Sequence, residues 1–202
     1  MRPATLDGNW DQAFRASPYW VRFELGGEVL GNIDQPVPRF IQAFHRAQTV
    51  ANAAFASSLS LTAILAASPE SGRDLFAPSN DAFSTLEALG FRASEPWRQW
   101  SASLDPEDED EAPLSWRAID LNESTMRDTL LWTSIVHEMP ITPKAPVLSW
   151  LIDFETGVML HVYDDRGMDV RALTRDAIEP LYRRFDAWLL DYDRPRMTVA
   201  FG

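Results

Sequence analysis

The chain has 202 residues, of which 46% are hydrophobic, so it predicts one folded domain with a substantial core and not a disordered protein. Its formal net charge is −12, which argues against nucleic-acid binding because contacts to phosphate require a basic surface. Cysteine is absent, so disulfides, thiolate metal sites and a cysteine nucleophile are excluded.

The sequence contains no pattern for export or membrane insertion. Residues 1–7 lack the apolar segment of a signal peptide. No apolar run approaches the ~18 residues that a membrane span needs. We therefore expect a soluble cytoplasmic protein that does not associate with membranes.

The first part of the chain predicts two helices and two strands. Apolar residues recur with helical spacing in residues 5–16 and, more clearly, in residues 39–55. Alternating apolar residues predict strands over residues 19–25 and 59–65. Glycine, asparagine and proline predict a loop over residues 28–38.

A third helix and an acidic loop follow. Ser79-Asn80 predicts the cap of a helix that ends at Leu89, before Gly90. Residues 94–115 favour no regular structure, and six of the seven residues in 105–111 are acidic. Like charges at this density repel, which predicts an extended surface loop near residues 101–114. Three tryptophans flank the loop and are expected to anchor its ends to the body of the protein: Trp97, Trp100 and Trp116.

The middle of the chain predicts a strand over residues 116–121 and then a helix. The composition of residues 132–136 favours a strand, so both assignments stay open there. Prolines at 140, 143 and 146 predict an extended connection.

The C-terminal third has the most regular pattern. Residues 149–154 and 158–163 predict a hairpin with Gly157 in its turn, and residues 168–173 predict a further strand. Helical spacing over residues 178–192 predicts a last helix, with Pro180 in its first turn. Residues 197–201 predict a final strand.

A charged turn links residues 158–163 to the next strand. Asp164, Asp165, Arg166 and Asp169 would lie near its tip, where an arginine–carboxylate fork would hold the turn rigid. Carboxylates at a strand end are also common Mg²⁺ ligands, and His161 could join them. Mutual neutralisation is the favoured interpretation, because crowded charges need partners whether or not they act chemically.

This turn also carries a resemblance. Residues 163–170, Tyr-Asp-Asp-Arg-Gly-Met-Asp-Val, resemble the signature of the bacterial family catalogued as domain of unknown function 3885. The similarity continues through Leu181-Tyr182 and residues 188–193, with weaker similarity at residues 21–26 and 118–121. It implies a shared fold over the whole chain and no assigned chemistry, so it supplies no catalytic residue.

Together these features predict a single α+β domain over residues 1–202, with a mostly antiparallel sheet packed by helices 39–55 and 178–192. The sequence shows no phosphate-binding loop, nucleophile elbow or dinucleotide fingerprint, so we expect no cofactor. Three histidines without zinc-ligand spacing also argue against a metal site: His45, His137 and His161.

Two functions fit the sequence. The first is a non-catalytic binding protein, an immunity-type inhibitor that neutralises a basic partner protein, with Asp164, Asp165, Arg166 and Asp169 as its binding residues. The alternative is a metal-dependent hydrolase centred on the Asp-Asp-Arg-Gly turn, in which His161 joins the catalytic residues Asp164, Asp165 and Arg166.

Overall fold

The computed structural model describes residues 10–27, 36–69, 81–92, 95–105 and 112–202. The helices in these ranges are α1 (Gln12–Ala16), α2 (Pro36–Ala54), α3 (Ala82–Ala88), α4 (Ser124–Ile135), α5 (Arg175–Arg184) and α6 (Arg194–Phe201). The strands are β1 (Trp20–Glu24), β2 (Leu61–Ala67), β3 (Arg98–Ala102), β4 (Leu114–Leu121), β5 (Leu148–Asp153), β6 (Val158–Val162) and β7 (Gly167–Ala172). Two short 3-10 turns, Asp186–Trp188 and Asp191–Asp193, connect α5 to α6.

The strands form one sheet in the order β1-β7-β6-β5-β2-β4-β3, and every neighbouring pair is antiparallel. The α+β fold with an antiparallel sheet is therefore confirmed. The strands β5, β6 and β7 are consecutive in the chain and adjacent in the sheet, as short hairpin connections require. The strands β1 and β3 form the two edges of the sheet.

The two faces of the sheet bury different side chains. One face packs against α2, α4 and α5 and contains the larger core, in which Val21, Phe23 and Leu25 are fully buried. The other face carries a smaller cluster rich in aromatic rings, including Trp116 and Trp150, which α1 covers in part. Because side chains alternate along a strand, the central strands β2, β4, β5 and β6 contribute to both clusters.

The helix α2 confirms the prediction of a helix over residues 39–55, the clearest one in the first half of the chain. Phe40, Ala43, Ala47, Val50 and Ala51 are buried and recur at intervals of three or four residues, as one helical stripe does. The small alanine side chains let the helix approach its neighbours closely, and α2 contacts both α4 and α5.

The predicted β5–β6 hairpin is also confirmed, and Gly157 adopts the positive φ of +68° that its turn requires. The buried Asp153 organises this turn, because its Oδ1 accepts hydrogen bonds from the backbone N–H groups of Glu155 (2.8 Å) and Thr156 (3.2 Å). Burial raises the pKa of Asp153, but these bonds and one from the Ser58 hydroxyl outweigh it, so the pKa is lowered overall.

Several boundaries in the middle of the chain differ from the prediction. The strand β2 begins at Leu61, and Leu59 is 91% exposed. The cap of α3 is Asp81, whose carboxylate accepts from the backbone N–H of Ser84 at 2.9 Å; Ser79-Asn80 lie outside the described residues. The segment after β4 is the helix α4, so the strand alternative for residues 132–136 is wrong.

The irregular stretch predicted over residues 94–115 is wrong in part. Residues 98–102 form β3, which pairs with β4 at the edge of the sheet. Its residues are largely exposed, so the alternation of apolar residues that marks a strand is nearly absent. Pairing with β4 forms this strand, and that pairing is a tertiary contact. In the acidic loop, residues 106–111 lie outside the described part.

The predicted helix over residues 178–192 is also corrected. The helix α5 begins at Arg175 and ends at Arg184, so Pro180 lies inside it and not in its first turn. The chain then crosses the open edge of β1: Leu189 bridges Phe23, and the N–H of Leu190 donates to the carbonyl of Arg22 at 3.0 Å. A continuing helix could not supply that donor to an edge strand, so the helix ends early.

The predicted strand over residues 197–201 is wrong as well, because α6 is helical. Met197 and Phe201 are both buried and are four residues apart. That spacing satisfies a strand pattern and a helix pattern equally, so the sequence alone could not decide between them.

In the part of the chain that the structure describes, no helix combines the length and the apolar character that crossing a membrane requires.

Candidate functional site

The charged turn connects β6 to β7, as predicted, and Asp164 closes it. Asp164 is buried, and its Oδ1 accepts the backbone N–H of Arg166 at 2.7 Å. The N–H of Tyr163 donates to the carbonyl of Gly167 at 3.3 Å. This is the side-chain-to-backbone bonding by which aspartate stabilises tight turns.

The exposed side chain of Arg166 binds the buried carboxylate of Asp164. Its Nε lies 2.7 Å from Asp164 Oδ2, and its Nη2 also contacts that oxygen. The arginine side chain is 65% exposed, and Glu138 lies 3.4 Å away. The hydrogen bond to Asp164 raises the pKa of Arg166 above its usual value. The predicted arginine–carboxylate fork is therefore formed by Arg166 and Asp164, which are two residues apart.

The second carboxylate of the turn pairs with a distant helix. Asp165 forms an ion pair with Arg39, in the first part of α2, and both side chains are mostly buried. The guanidinium of Arg39 lies directly against Gly26, where a Cβ atom would overlap it. A side chain at position 26 would therefore displace this guanidinium from its present position. The ion pair links α2 to the turn after β6.

The third carboxylate pairs with the edge strand. Arg22 lies opposite Asp169 in the β1–β7 register, with Nε 2.6 Å from Oδ1 and Nη2 2.9 Å from Oδ2. The remaining Nη1 of Arg22 binds Asp193 Oδ2 at 3.0 Å. Hydrogen bonding to Asp169 outweighs burial and raises the pKa of Arg22. One guanidinium thus holds two carboxylates from different parts of the chain.

His161 lies opposite Asp169 in the β6–β7 register, but its closest contacts are elsewhere. Its ring stacks on Trp150 with centroids 4.6 Å apart and 12° between the planes. Its Nδ1 lies 2.8 Å from the carbonyl oxygen of Ser149, and a carbonyl only accepts, so Nδ1 carries the proton. The structure therefore places His161 in an aromatic stack and not beside Asp164.

That stack crosses much of the sheet. Successive ring centroids are 5.7 Å apart for Trp100–Trp116, 5.4 Å for Trp116–Trp150 and 6.5 Å for His161–Tyr163. Trp10 packs edge-on against Trp116 and Trp150. Trp100 and Trp116 lie at the two ends of the acidic loop, as expected. They are opposite each other on the adjacent strands β3 and β4.

The arrangement favours structural neutralisation of the turn. Each of Asp164, Asp165 and Asp169 has an arginine partner, and such charge-assisted bonds are the strong ones in proteins. Within the described residues, no group of three or more histidine, aspartate or glutamate side chains is arranged to hold a metal ion. The turn therefore presents paired charges, not a cluster of open ligands.

Sequence reasoning missed the partners Arg22, Arg39 and Asp193. Only a weak indication for Arg22 was present in the sequence, namely that it occupies the polar face of a correctly predicted strand. Arg39 is 126 residues from its partner Asp165, and Asp193 is 171 residues from its partner Arg22, so no local pattern could have linked them.

We expect Arg166→Ala to lower the free energy of unfolding by about 1–2 kcal/mol. The substitution leaves the buried Asp164 with a backbone donor but without its guanidinium, and the high exposure of Arg166 limits the loss. Urea unfolding measures the change, and Arg166→Lys, which keeps the charge without the fork, should lie between the two proteins. Equal stability of Arg166→Ala and the parent would contradict a structural role for the pair.

Acidification should destabilise the protein through His161. Burial lowers the pKa of His161, against opposing effects of the Ser149 carbonyl and Asp169, so the unfolded chain binds the proton more readily. Its contribution to stability is present above about pH 6.5 and is lost as the pH falls below that value, by at most about 1.4 kcal/mol per pH unit.

The measurement is urea unfolding from pH 8 to pH 5 for the parent and for His161→Phe, which keeps an aromatic ring against Trp150 but cannot titrate. The variant should lose less stability over this range. Identical pH profiles would show that His161 does not contribute.

Comparison with known proteins agrees with the resemblance found in the sequence. The model of the family described as Domain of unknown function (DUF3885) matches residues 4–193, which include the charged turn and its arginine partners. Searches of curated proteins and of solved structures find no match. The matched range covers nearly the whole chain, and the protein therefore belongs to the DUF3885 family.

Proposed function

We propose that the protein is a non-catalytic binding protein, an immunity-type inhibitor that neutralises a basic partner protein. The observation that supports this proposal is the pairing of every carboxylate of the charged turn with an arginine. A general base or a metal ligand needs a carboxylate that is available to the substrate or the ion. In this turn the carboxylates instead hold the fold, and a rigid fold suits binding.

The charge of the chain supports a basic partner. The net charge is −12. Among the described residues, the side chains of Asp186 and Asp191 are 67% and 90% exposed, and both pair with the single guanidinium of Arg194, so a net negative charge remains there. The acidic residues in 105–111 add six more carboxylates. A surface of this kind accelerates association with a basic protein at low ionic strength and loses that advantage as salt is added.

The test compares three forms of residues 105–111 in a pull-down from the native cell lysate. The first is the parent sequence, the second is a neutral Gly/Ser linker, and the third interchanges aspartate and glutamate so that the charge is kept. We expect the parent and the interchanged form to retain the same basic protein, identified by mass spectrometry, and the neutral form to release it at lower salt. The melting temperature should be equal in all three.

A partner found in this way is then assayed directly. If the proposal holds, stoichiometric addition of the protein suppresses the activity of the purified partner, and the neutral form does so only at higher concentration. If the three forms retain the same proteins at every salt concentration, the acidic run does not contribute to partner binding and the electrostatic part of the proposal is rejected.

The metal-dependent hydrolase makes an opposite prediction for the charged turn. A hydrolase would bind Mg²⁺, Mn²⁺ or Zn²⁺ stoichiometrically, and Asp164→Asn would abolish that binding. Because Asp164 already binds Arg166, we expect calorimetric titration to show no micromolar site for these ions.

A further inference from the structure

A concavity of about 590 Å³ lies between α1, β1, β7, α5 and α6. Four arginines line it: Arg15, Arg171, Arg175 and Arg196. None of its described lining residues is acidic. The amino-acid composition would not lead one to expect a cluster of four positive charges, because the chain has 30 acidic residues and only 18 basic ones.

Two of these arginines already have partners. Arg15 pairs with Asp11, one helical turn away. Arg175 binds Glu179 at 3.0 Å and the carbonyl oxygen of Phe201 at 3.1 Å. Their positive charge at the concavity is therefore partly neutralised.

The other two arginines are poorly neutralised. The nearest carboxylate oxygen to Arg171 belongs to Asp169, 3.9 Å away, and Asp169 is already bound by Arg22 through both oxygens. Arg196 lies over the ring of Trp20, 5.0 Å from its centroid, and no carboxylate of the described residues pairs with it. A guanidinium without a carboxylate is suited to bind an anion from solution.

The electrostatics of Arg171 agree with this geometry. Burial lowers its pKa, Asp169 opposes that effect, and the like charges of Arg22, Arg15 and Arg196 lower it further. The side chain of Arg171 is only 25% exposed. A positive charge that is held among others and away from water gains most when an anion enters.

We propose that this concavity binds a phosphorylated small molecule, with its phosphoryl group between Arg171 and Arg196. Arg196 has no carboxylate partner among the described residues, and the carboxylate 3.9 Å from Arg171 is already held by Arg22. Two such guanidiniums match the double negative charge of a terminal phosphoryl group, and arginine binds phosphate oxygens in pairs. The volume lies within the range of sites for small organic ligands and exceeds what one phosphate group occupies.

The remaining wall of the concavity suits the organic part of such a ligand. Pro18, Tyr19, Val199 and Ala200 line it, and Val199 is 89% exposed. An exposed apolar side chain beside a cationic site loses contact with water when an organic group covers it. The lining of this site includes none of the acidic residues assigned to the proposed inhibitor, and the site does not depend on that function.

The test is calorimetric titration of the whole protein at low salt with pyrophosphate, ATP and citrate as probes. We expect pyrophosphate and ATP to bind with one site per chain, ATP more tightly, and citrate to bind at least about tenfold more weakly than pyrophosphate. Arg171→Gln and Arg196→Gln should each weaken phosphate binding about 10-fold or more, because each removes a charge-assisted hydrogen-bond donor. The exposed Arg196 allows the test even if Arg171→Gln does not fold.

The matched control is Arg98→Gln, which removes one exposed arginine from β3, at the opposite edge of the sheet. It should leave the dissociation constants within about twofold of the parent values. Three results would each overturn the proposal: neither phosphate probe binds the parent at millimolar concentration, citrate binds as tightly as pyrophosphate, or Arg98→Gln weakens binding as much as Arg196→Gln.

Discussion

Replacing Arg22 with methionine is expected to lower the free energy of unfolding by about 2–4 kcal/mol. The guanidinium binds Asp169 through two nitrogens and Asp193 through the third, and both carboxylates are mostly buried. Removing it leaves two carboxylates desolvated without their main partner, which costs more than the loss of an exposed pair. Methionine keeps most of the aliphatic stem, so the loss reports the charge. Urea unfolding provides the measurement.

Two further variants isolate the cause. Arg98→Met makes the same replacement on the exposed edge strand β3 and should change stability by less than about 0.5 kcal/mol. The double variant Arg22→Met/Asp169→Leu removes both charges of the main pair, so it should lose less than the sum of its two single variants. A strictly additive double variant, or a parent-like Arg22→Met, would argue against this ion pair as the source of the stability.

Gly167→Ala should lower the free energy of unfolding by about 2–3 kcal/mol through overpacking. A Cβ atom at this position would lie 2.9 Å from the carbonyl oxygen of Phe23 and would overlap the hydroxyl of Tyr163. The tyrosine side chain can turn away, but the Phe23 carbonyl belongs to the β1 backbone, so the strands themselves must separate. Thermal and urea unfolding both report the change.

The matched comparison is Tyr163→Val alone and combined with Gly167→Ala. Removing the ring removes one of the two close contacts, so the added alanine should cost less in the Tyr163→Val background than in the parent. Equal cost in the two backgrounds would show that only the Phe23 contact matters. A Gly167→Ala protein as stable as the parent would contradict the packing argument as a whole.

Both predictions test whether the charged turn joins distant parts of the fold. The turn after β6 reaches β1 through Asp169 and Arg22, α2 through Asp165 and Arg39, and its own backbone through Asp164. In addition, the N–H of Leu25 donates to the carbonyl of Arg166 at 2.8 Å. The charged turn is therefore the point at which the first strand, the first long helix and the C-terminal hairpin are joined.

Some of this arrangement was predictable from the sequence. The turn of Gly157, the helix α2 and an arginine–carboxylate fork within the charged turn were predicted correctly because each depends on residues close in the chain. Side-chain alternation and helical spacing are local signals, and so are the turn preferences of glycine and aspartate. The family was also identified correctly, since the DUF3885 model matches residues 4–193.

Other features depend on partners that are distant in the sequence. The strand β3 has little apolar alternation and forms through pairing with β4. The helix α5 ends at Arg184, and Leu189 and Leu190 then bond to the edge of β1. The ion pairs of Arg22 and Arg39 follow from strand register and helix packing. The concavity brings together arginines from positions 15 to 196 of the chain.

The sequence by itself determined the α+β class, most helices and strands, and the tight turn with its internal ion pair, because local spacing and turn chemistry act within a few residues. The tertiary structure alone decided where the elements end, which arginine meets which carboxylate and where four arginines converge. Those outcomes depend on strand register and packing, through which residues far apart in the chain come within a few ångströms of each other.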